Sequence, residues 1–176
     1  REYLTAMTGA TFHAAEADQP RPPLLIAALG PRMLEVAREL ADGSHPYLVT
    51  PQQTADVRAA LGPDKLVAVE MGAVLTSDRE TALRRAHAHL DIYTGLPNYR
   101  NNWLRGGFND TDLVRGGSDR LAEALIAWGD EAAILNRVHE HLAAGADHVC
   151  VQVLMDSPFD IPTEPWRELA PALVGT

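Results

Sequence analysis

The chain of 176 residues has a single cysteine, Cys150. A lone cysteine excludes an internal disulfide, and its place in the apolar run HVCVQVL predicts a buried, unreactive thiol. No apolar run approaches the roughly 18 residues that a membrane-crossing helix needs, and no basic-apolar-small signal pattern opens the chain. From these absences we expect a cytoplasmic protein that does not act in a membrane.

Basic residues are in deficit, with 15 Lys and Arg against 24 Asp and Glu, for a net charge of -9. This balance argues against nucleic-acid or anionic-membrane partners, which usually demand clustered cations, and favours a small-molecule ligand. No P-loop, CxxC pair or Ser-His-Asp pattern is present. The pairs His87/His89 and His139/His141 are spaced by two, which on a helix turns the rings about 200° apart. We therefore expect no metal site.

Strand-helix-strand patterning is the main positive signal. Residues 23–50 contain a short apolar run, a Gly-Pro turn, an amphipathic helix and a second apolar run, as in a parallel α/β unit. The pattern predicts four strands, at residues 24–29, 47–49, 66–75 and 148–154. A closed parallel barrel has eight strands and about 250 residues. We therefore expect residues 1–176 to form a single partial domain of a larger barrel.

Helix boundary signals are also specific. Gly43 is expected to stop the first amphipathic helix, Ser77 to open a helix through a capping box with Glu80, and Ser118 to cap a helix that carries Trp128. Residues 163–173 are expected to form a closing helix.

Residues 96–117 interrupt the pattern and predict a long inserted loop, of the kind that forms lids or binding segments. The segment contains a polar-aromatic cluster. It fits a cap over a substrate pocket or a subunit contact, with plain surface structure as the third alternative. The cluster consists of Asn98, Tyr99, Asn101, Asn102 and Trp103.

Several segments together resemble the C-terminal half of the bacterial-luciferase-like monooxygenase superfamily, and within it the actinobacterial oxidoreductases that use coenzyme F420, a deazaflavin. They are AALGPRMLEVARELADG, PYLVTP, LPNYRNNW, SDRLAEALIAWGD and AGADHVCVQVL. The resemblance implies a (β/α)8 TIM barrel of which this chain holds the last four strands. It implies hydride transfer between reduced F420 and a small organic substrate, with most of the ring and substrate pocket outside this chain. The alternatives are an FMN-dependent monooxygenase of the same superfamily and a non-catalytic half-barrel that binds a phosphorylated ligand or assembles with a partner.

The Gly30-Pro31 turn is the candidate cofactor site. A strand there is followed by a helix N-terminus, where unpaired N–H groups favour an anion, although the spacing alone favours a plain tight turn. The resemblance assigns binding of the cofactor phosphate to this turn. The residues that it carries over are Ala28, Leu29, Gly30, Arg32 and Met33.

Two polar residues, Glu70 and Gln152, lie within otherwise apolar strands. Buried polar groups need partners, so each is either part of a substrate pocket at the barrel mouth or a core hydrogen-bonding group. Neither is assigned as catalytic.

A half barrel leaves the outer edges of its first and last strands unpaired, and such edges invite pairing. We therefore expect a homo-oligomer, with a dimer as the simplest form. We also expect weak catalysis, or none, from this half alone.

Overall fold

The structure is a computed structural model of the chain that describes residues 1–10 and 21–174. These residues form five strands and eight helices. The strands are β1 (Leu25–Ile26), β2 (Gly43–Ser44), β3 (Leu66–Leu75), β4 (Ile126–Gly129) and β5 (His148–Val153). The helices are α1 (Glu2–Thr8), α2 (Pro31–Leu40), α3 (Pro51–Leu61), α4 (Arg79–Tyr93), α5 (Pro97–Arg105), α6 (Asp119–Leu125), α7 (Glu131–Ala143) and α8 (Thr163–Leu173).

All strand pairs among these residues are parallel, and β3 is the central strand. It pairs with β2 at Leu66 and Val67, with β4 over its last four residues, and with β5 from Ala68 to Ala73. Strand β1 pairs with β2. The α/β class and the parallel sheet are confirmed. None of the described helices is long and apolar enough to cross a lipid bilayer.

The two faces of β3 have different cover. Val67 and Val69 pack with side chains of α2 and α3, and Met71 and Ala73 pack with side chains of α7 and α8. On the other face, Val74 joins a cluster built from α4, α5 and α6 around the fully buried Trp103. The segment between β3 and β4 therefore covers the carboxyl end of the second face.

The third predicted strand is confirmed as β3, the fourth corresponds to β5 with one residue fewer, and the first is shorter than expected. The second was placed wrongly: the ladder lies at Gly43 and Ser44, not at residues 47–49. Leu48 has a φ of 55°, which takes the backbone out of strand geometry. Gly43 does not stop α2 either, because the helix ends at Leu40 with Ala41 as its C-cap. Gly43 lies in β2, where a Cβ would overlap the carbonyl oxygen of Leu66.

Three expectations between β3 and β4 are corrected. Asp78, not Ser77, caps α4, and its carboxylate accepts the N–H groups of Glu80 and Thr81. Part of the expected loop at 96–117 is helix α5, which buries Trp103 as an anchor. The helix capped by Ser118 ends at Leu125, and Trp128 lies in the unpredicted strand β4, which pairs with β3. Helix α8 has the predicted bounds.

Cys150 is exposed, which corrects the prediction of a buried thiol. The exposed residues of β5 are His148, Cys150 and Gln152, whereas Val149, Val151 and Val153 pack under the helices. The register places the exposed set beside Ala68, Glu70 and Gly72 of β3. This face of β5 has no covering layer among the described residues, so an apolar stretch of sequence does not bury both faces.

Candidate functional site

The turn after β1 leaves the N-terminus of α2 open. Gly30 is the N-cap, makes no side-chain capping bond, and is followed by Pro31 at the first helical position. The first turn contains Arg32 and no acidic residue. The amide of Met33 donates back to the carbonyl oxygen of Gly30 at 3.0 Å. A helix N-terminus carries unpaired N–H groups and partial positive charge, and here no side chain compensates it.

Arg105, the last residue of α5, extends to this turn. Its Nη2 donates to the carbonyl oxygen of Leu29 at 3.1 Å and to Oδ1 of Asn102 at 3.2 Å. A Cβ built at Gly30 would lie 3.9 Å from the same nitrogen. A guanidinium is thus held beside the positive end of α2.

The turn opens into a cleft of about 550 Å³ between α2 and α3. Asn102 lies on its wall, is only 6% exposed, and its Nδ2 has no hydrogen-bond partner among the described residues. Gln53 of α3 braces this wall, because its Nε2 donates to the carbonyl oxygen of Asn102 at 2.9 Å. The cleft therefore contains cationic and neutral donors next to an open helix N-terminus.

A second polar group lies at the same edge of the sheet, and we call it the Tyr47 cluster: Tyr47, His89, Tyr93 and Gln152. Tyr47 follows β2, Gln152 is near the carboxyl end of β5, and the other two lie one turn apart on α4. The Tyr47 hydroxyl donates to Oε1 of Gln152 at 2.8 Å and lies 3.1 Å from Nε2 of His89. The Tyr93 hydroxyl donates to that of Tyr47 at 3.4 Å.

Burial favours the neutral forms of Tyr47 and His89. Desolvation raises the pKa of Tyr47, with a further contribution from the Tyr93 hydrogen bond, and desolvation lowers the pKa of His89. Because the Tyr47 hydroxyl has one proton and gives it to Gln152, Nε2 of His89 must donate its own. A smaller cavity of about 160 Å³ adjoins the cluster, lined in part by His89 and Gln152.

Glu70 lies on the same face of β3 and is 5% exposed. Its Oε2 accepts the N–H of Leu48 at 3.3 Å, while Oε1 has no partner among the described residues. Desolvation, the dominant cause, raises the pKa of Glu70 to about 7. Nε1 of Trp103 donates to the carbonyl oxygen of Leu48 at 3.0 Å. Both backbone polar groups of Leu48, whose φ is in the left-handed region, are therefore hydrogen-bonded to side chains.

The structure separates the sequence-predicted site residues. Leu29 and Arg32 line the cleft, and Gly30 is the N-cap between them. Ala28 is buried in the core beneath the turn, and the Met33 side chain is 46% exposed. Glu70 is enclosed under Leu48, whereas Gln152 is exposed and bonded to Tyr47. These positions leave the predicted binding roles as proposals.

Sequence reasoning did not assign Arg105, Tyr47 or His89 to a site. Asn102 was noted within the polar-aromatic cluster, but no periodicity connects α5 with the turn after β1. The spacing of His87 and His89 was considered only for metal binding. Across residues 1–10 and 21–174 no group of three or more metal-ligating side chains is present.

Residues 1–148 match the luciferase-like monooxygenase family. The chain belongs to this family. Among curated protein sequences, none matches the chain significantly.

Solved structures of similar fold include the coenzyme F420 dependent tetrahydromethanopterin reductase from Methanopyrus kandleri, with a TM-score of 0.63 and 20% identity over 86% of this chain and 51% of that one. An F420-dependent secondary alcohol dehydrogenase, in complex with an F420-acetone adduct, has a TM-score of 0.64 and 13% sequence identity. The similarity covers 88% of this chain and 50% of that one. EDTA monooxygenase from Chelativorans sp. BNC1 has a TM-score of 0.57 and 16% sequence identity, over 90% of this chain and 46% of that one. This luciferase-like chain spans about half the length of these structures, and at sequence identities of 20% or less the similarity shows the fold alone.

Proposed function

We propose that this chain is part of a luciferase-like oxidoreductase that uses reduced coenzyme F420 for hydride transfer to or from a small organic substrate. Two of the structural neighbours are named as F420-dependent enzymes. The observation that carries the proposal is the open N-terminus of α2 at Gly30, in a family member with a cleft beside it.

The residues at the turn fit a phosphate group. Pro31 has no N–H and the Met33 amide bonds the Gly30 carbonyl oxygen, so the turn offers the amides of Gly30 and Arg32 to an anion. Gly30 keeps its Cβ position free, and Arg32 and Arg105 supply positive charge without a carboxylate in the turn. Anions bind at helix N-termini because the unpaired N–H groups and the helix dipole converge there. The turn would hold the phosphate and thereby fix one end of the cofactor.

When bound, the deazaflavin supplies the hydride chemistry itself. This chain would supply a neutral polar wall for the substrate from the Tyr47 cluster. Gln152 is held by Tyr47 through its Oε1, which leaves its amide N–H groups to donate to a substrate oxygen. Glu70 lies beneath this wall, where its raised pKa makes it a reservoir for one proton near neutrality.

Titration of the purified chain with F420, followed by fluorescence, tests the proposal. We expect micromolar binding that Gly30→Asp abolishes, because a carboxylate would occupy the anion position. Gly30→Ala is the matched control. The φ of -99° suits any residue, and no atom lies closer than 3.9 Å to the added Cβ, so binding should persist. Failure of a folded chain to bind F420 would contradict the proposal.

An FMN-dependent monooxygenase is the second candidate, supported by the similarity to EDTA monooxygenase. FMN also carries a phosphate, so the same variants are titrated with FMN, and tighter binding of FMN than of F420 would replace the leading assignment. Detectable reduction of the bound cofactor would exclude a non-catalytic half-barrel.

Sedimentation of the same samples tests the predicted dimer, and a sharp monomer peak at micromolar concentration would contradict it.

A further inference from the structure

The arginines of this chain divide into two groups by their partners. Eleven form ion pairs with carboxylates. Within the described part of the chain the remaining three, Arg32, Arg38 and Arg105, form none, although the chain has an excess of nine negative charges. All three line the cleft between α2 and α3. Unpaired cations gathered in one cleft of an acidic protein indicate an anionic ligand.

The two ends of the cleft differ in charge. Glu39 pairs with Arg1, and its negative charge also interacts with the guanidinium of the neighbouring Arg38. Two further carboxylates lie on the cleft wall: Asp56, and Glu35, which is three residues from both Arg32 and Arg38. Near Gly30 the cationic groups are Arg32 and Arg105, with no acidic residue in the first turn of α2. The Gly30 end therefore has two arginines and a helix N-terminus, whereas the other end has Arg38 alone.

Arg105 is favourably placed for α5, which it ends, but its charge also lies next to the N-terminus of α2. A cation next to a helix N-terminus opposes the helix dipole, and the recorded acceptors of Arg105 are two neutral oxygens, those of Leu29 and Asn102. Both bonds use Nη2. Among the described residues Nε and Nη1 donate to no partner, so three of the five N–H donors remain for a ligand.

Asn102 has the geometry of a positioning residue. Its Oδ1 accepts from Arg105, which fixes the amide orientation and turns Nδ2 away from that bond. Nδ2 is buried on the cleft wall without a partner, and a buried donor left unpaired is costly. This second observation, independent of the open helix N-terminus, marks the Gly30 end of the cleft as a built site.

We propose that Arg105 of α5 binds the ligand's phosphate together with the Gly30 turn, and that Asn102 positions its guanidinium. The inference rests on the proposed function and extends it, because the site then includes the segment between β3 and β4. The ligand class is a phosphate ester. The charge and the planar fork of Arg105 both contribute to its binding.

Binding of inorganic phosphate to the full chain, measured by calorimetry and by phosphorus NMR, tests this. Arg105→Gln is expected to weaken binding about tenfold or more, which is typical for loss of a charge-assisted contact. Arg105→Lys should recover only part of the loss. Arg38→Gln is the matched control, since it removes an equally unpaired arginine from the other end of the same cleft, and it should change affinity less than about twofold. Arg105 is exposed and forms no ion pair, so the fold should survive its replacement.

A double-mutant cycle tests the role of Asn102. Asn102→Ala should weaken phosphate binding in the wild-type background and have no further effect in Arg105→Gln, a coupling that a merely structural role would not produce. Equal effects of Arg105→Gln and Arg38→Gln, with binding still abolished by Gly30→Asp, would overturn this inference and leave the proposed function intact. No phosphate binding, or binding unaffected by Gly30→Asp, would overturn both.

Discussion

The Gly30 end of the cleft and the Tyr47 cluster lie at the same edge of the sheet and have opposite character. The first combines an open helix N-terminus with two unpaired arginines beside a cleft of about 550 Å³. The second is a group of neutral side chains that satisfy one another through the Tyr47 hydroxyl, next to a cavity of about 160 Å³. The first region has cations without a carboxylate partner in the turn, whereas the second has neutral side chains joined through the Tyr47 hydroxyl.

Under the proposed function, this difference gives the two regions different roles. Carboxyl ends of parallel strands are where α/β proteins bind ligands. A ligand with an anionic tail and a neutral reactive end would place the first at Gly30 and the second near Gln152. A phosphate-bearing cofactor and an uncharged organic substrate together have this distribution of charge.

Helix α5 joins the two regions, and Trp103→Ala should have the largest effect. Trp103 is fully buried, and its Nε1 bonds the Leu48 carbonyl beside the Tyr47 cluster, while Asn102 and Arg105 of the same helix reach the cleft. Removing this anchor should lower the free energy of unfolding by about 4 kcal/mol. Urea unfolding measures the loss, and phosphate binding should weaken as well because α5 carries Arg105.

Leu104→Ala is the control on the same helix. Leu104 is 41% exposed, so its truncation should cost less than about 0.5 kcal/mol. A loss below about 1 kcal/mol for Trp103→Ala would contradict the view that α5 is anchored through this side chain.

Glu70 gives the second largest effect, through pH. Its pKa is about 7 in the folded chain against an ordinary 4.5. Between these two pH values the folded chain keeps the Glu70 proton, whereas the unfolded chain loses it. The stability associated with the protonated carboxyl is fully present below pH 4.5 and is lost as pH rises to about 7. The loss amounts to about 3 kcal/mol.

Glu70→Gln removes this titration and isolates it. The difference in unfolding free energy between Glu70→Gln and wild type should grow in favour of the variant by about 3 kcal/mol as pH rises from 4.5 to 8. His141 has the opposite dependence, because burial lowers its pKa to about 4 and stability is lost as pH falls below 6.5. Both proteins contain His141, so its contribution cancels in the difference. A difference independent of pH would show that Glu70 is not desolvated.

The central strand and the closing helix could be predicted because their signals are local. The run LVAVEMGAVL is β3 and residues 163–173 are α8, with the predicted bounds. The Gly30 turn was found for the same reason, since Gly-Pro between a strand and a helix is a local signal. Strand β4 was missed because IAWG forms a strand only by pairing with the carboxyl end of β3.

The rest of the candidate site depends on contacts between residues far apart in sequence. Arg105 and Leu29 are 76 positions apart, and Tyr47 and Gln152 are 105 apart. Hydrophobic periodicity describes which side of an element is buried, not which elements meet. Cys150 is a further case in which the sequence pattern did not predict burial. Its apolar neighbours in β5 pack under helices, whereas the face of β5 that contains Cys150 has no covering layer among the described residues.

The smallest expected effect comes from Tyr47→Phe, which tests whether the Tyr47 hydroxyl holds the Tyr47 cluster together through its hydrogen bonds. Loss of the hydroxyl removes the proton donated to Gln152 and the acceptor facing His89, and should cost about 1 kcal/mol in urea unfolding. Tyr93→Phe is the matched control, because the Tyr93 hydroxyl makes only the long 3.4 Å bond to Tyr47 within the cluster and should cost less than half as much. Phosphate binding should be unchanged in both variants, since neither touches the cleft. An equal or larger loss of stability for Tyr93→Phe would contradict the view that the Tyr47 hydroxyl makes the main hydrogen bonds of the cluster. A change in phosphate affinity would show that the two regions are not independent.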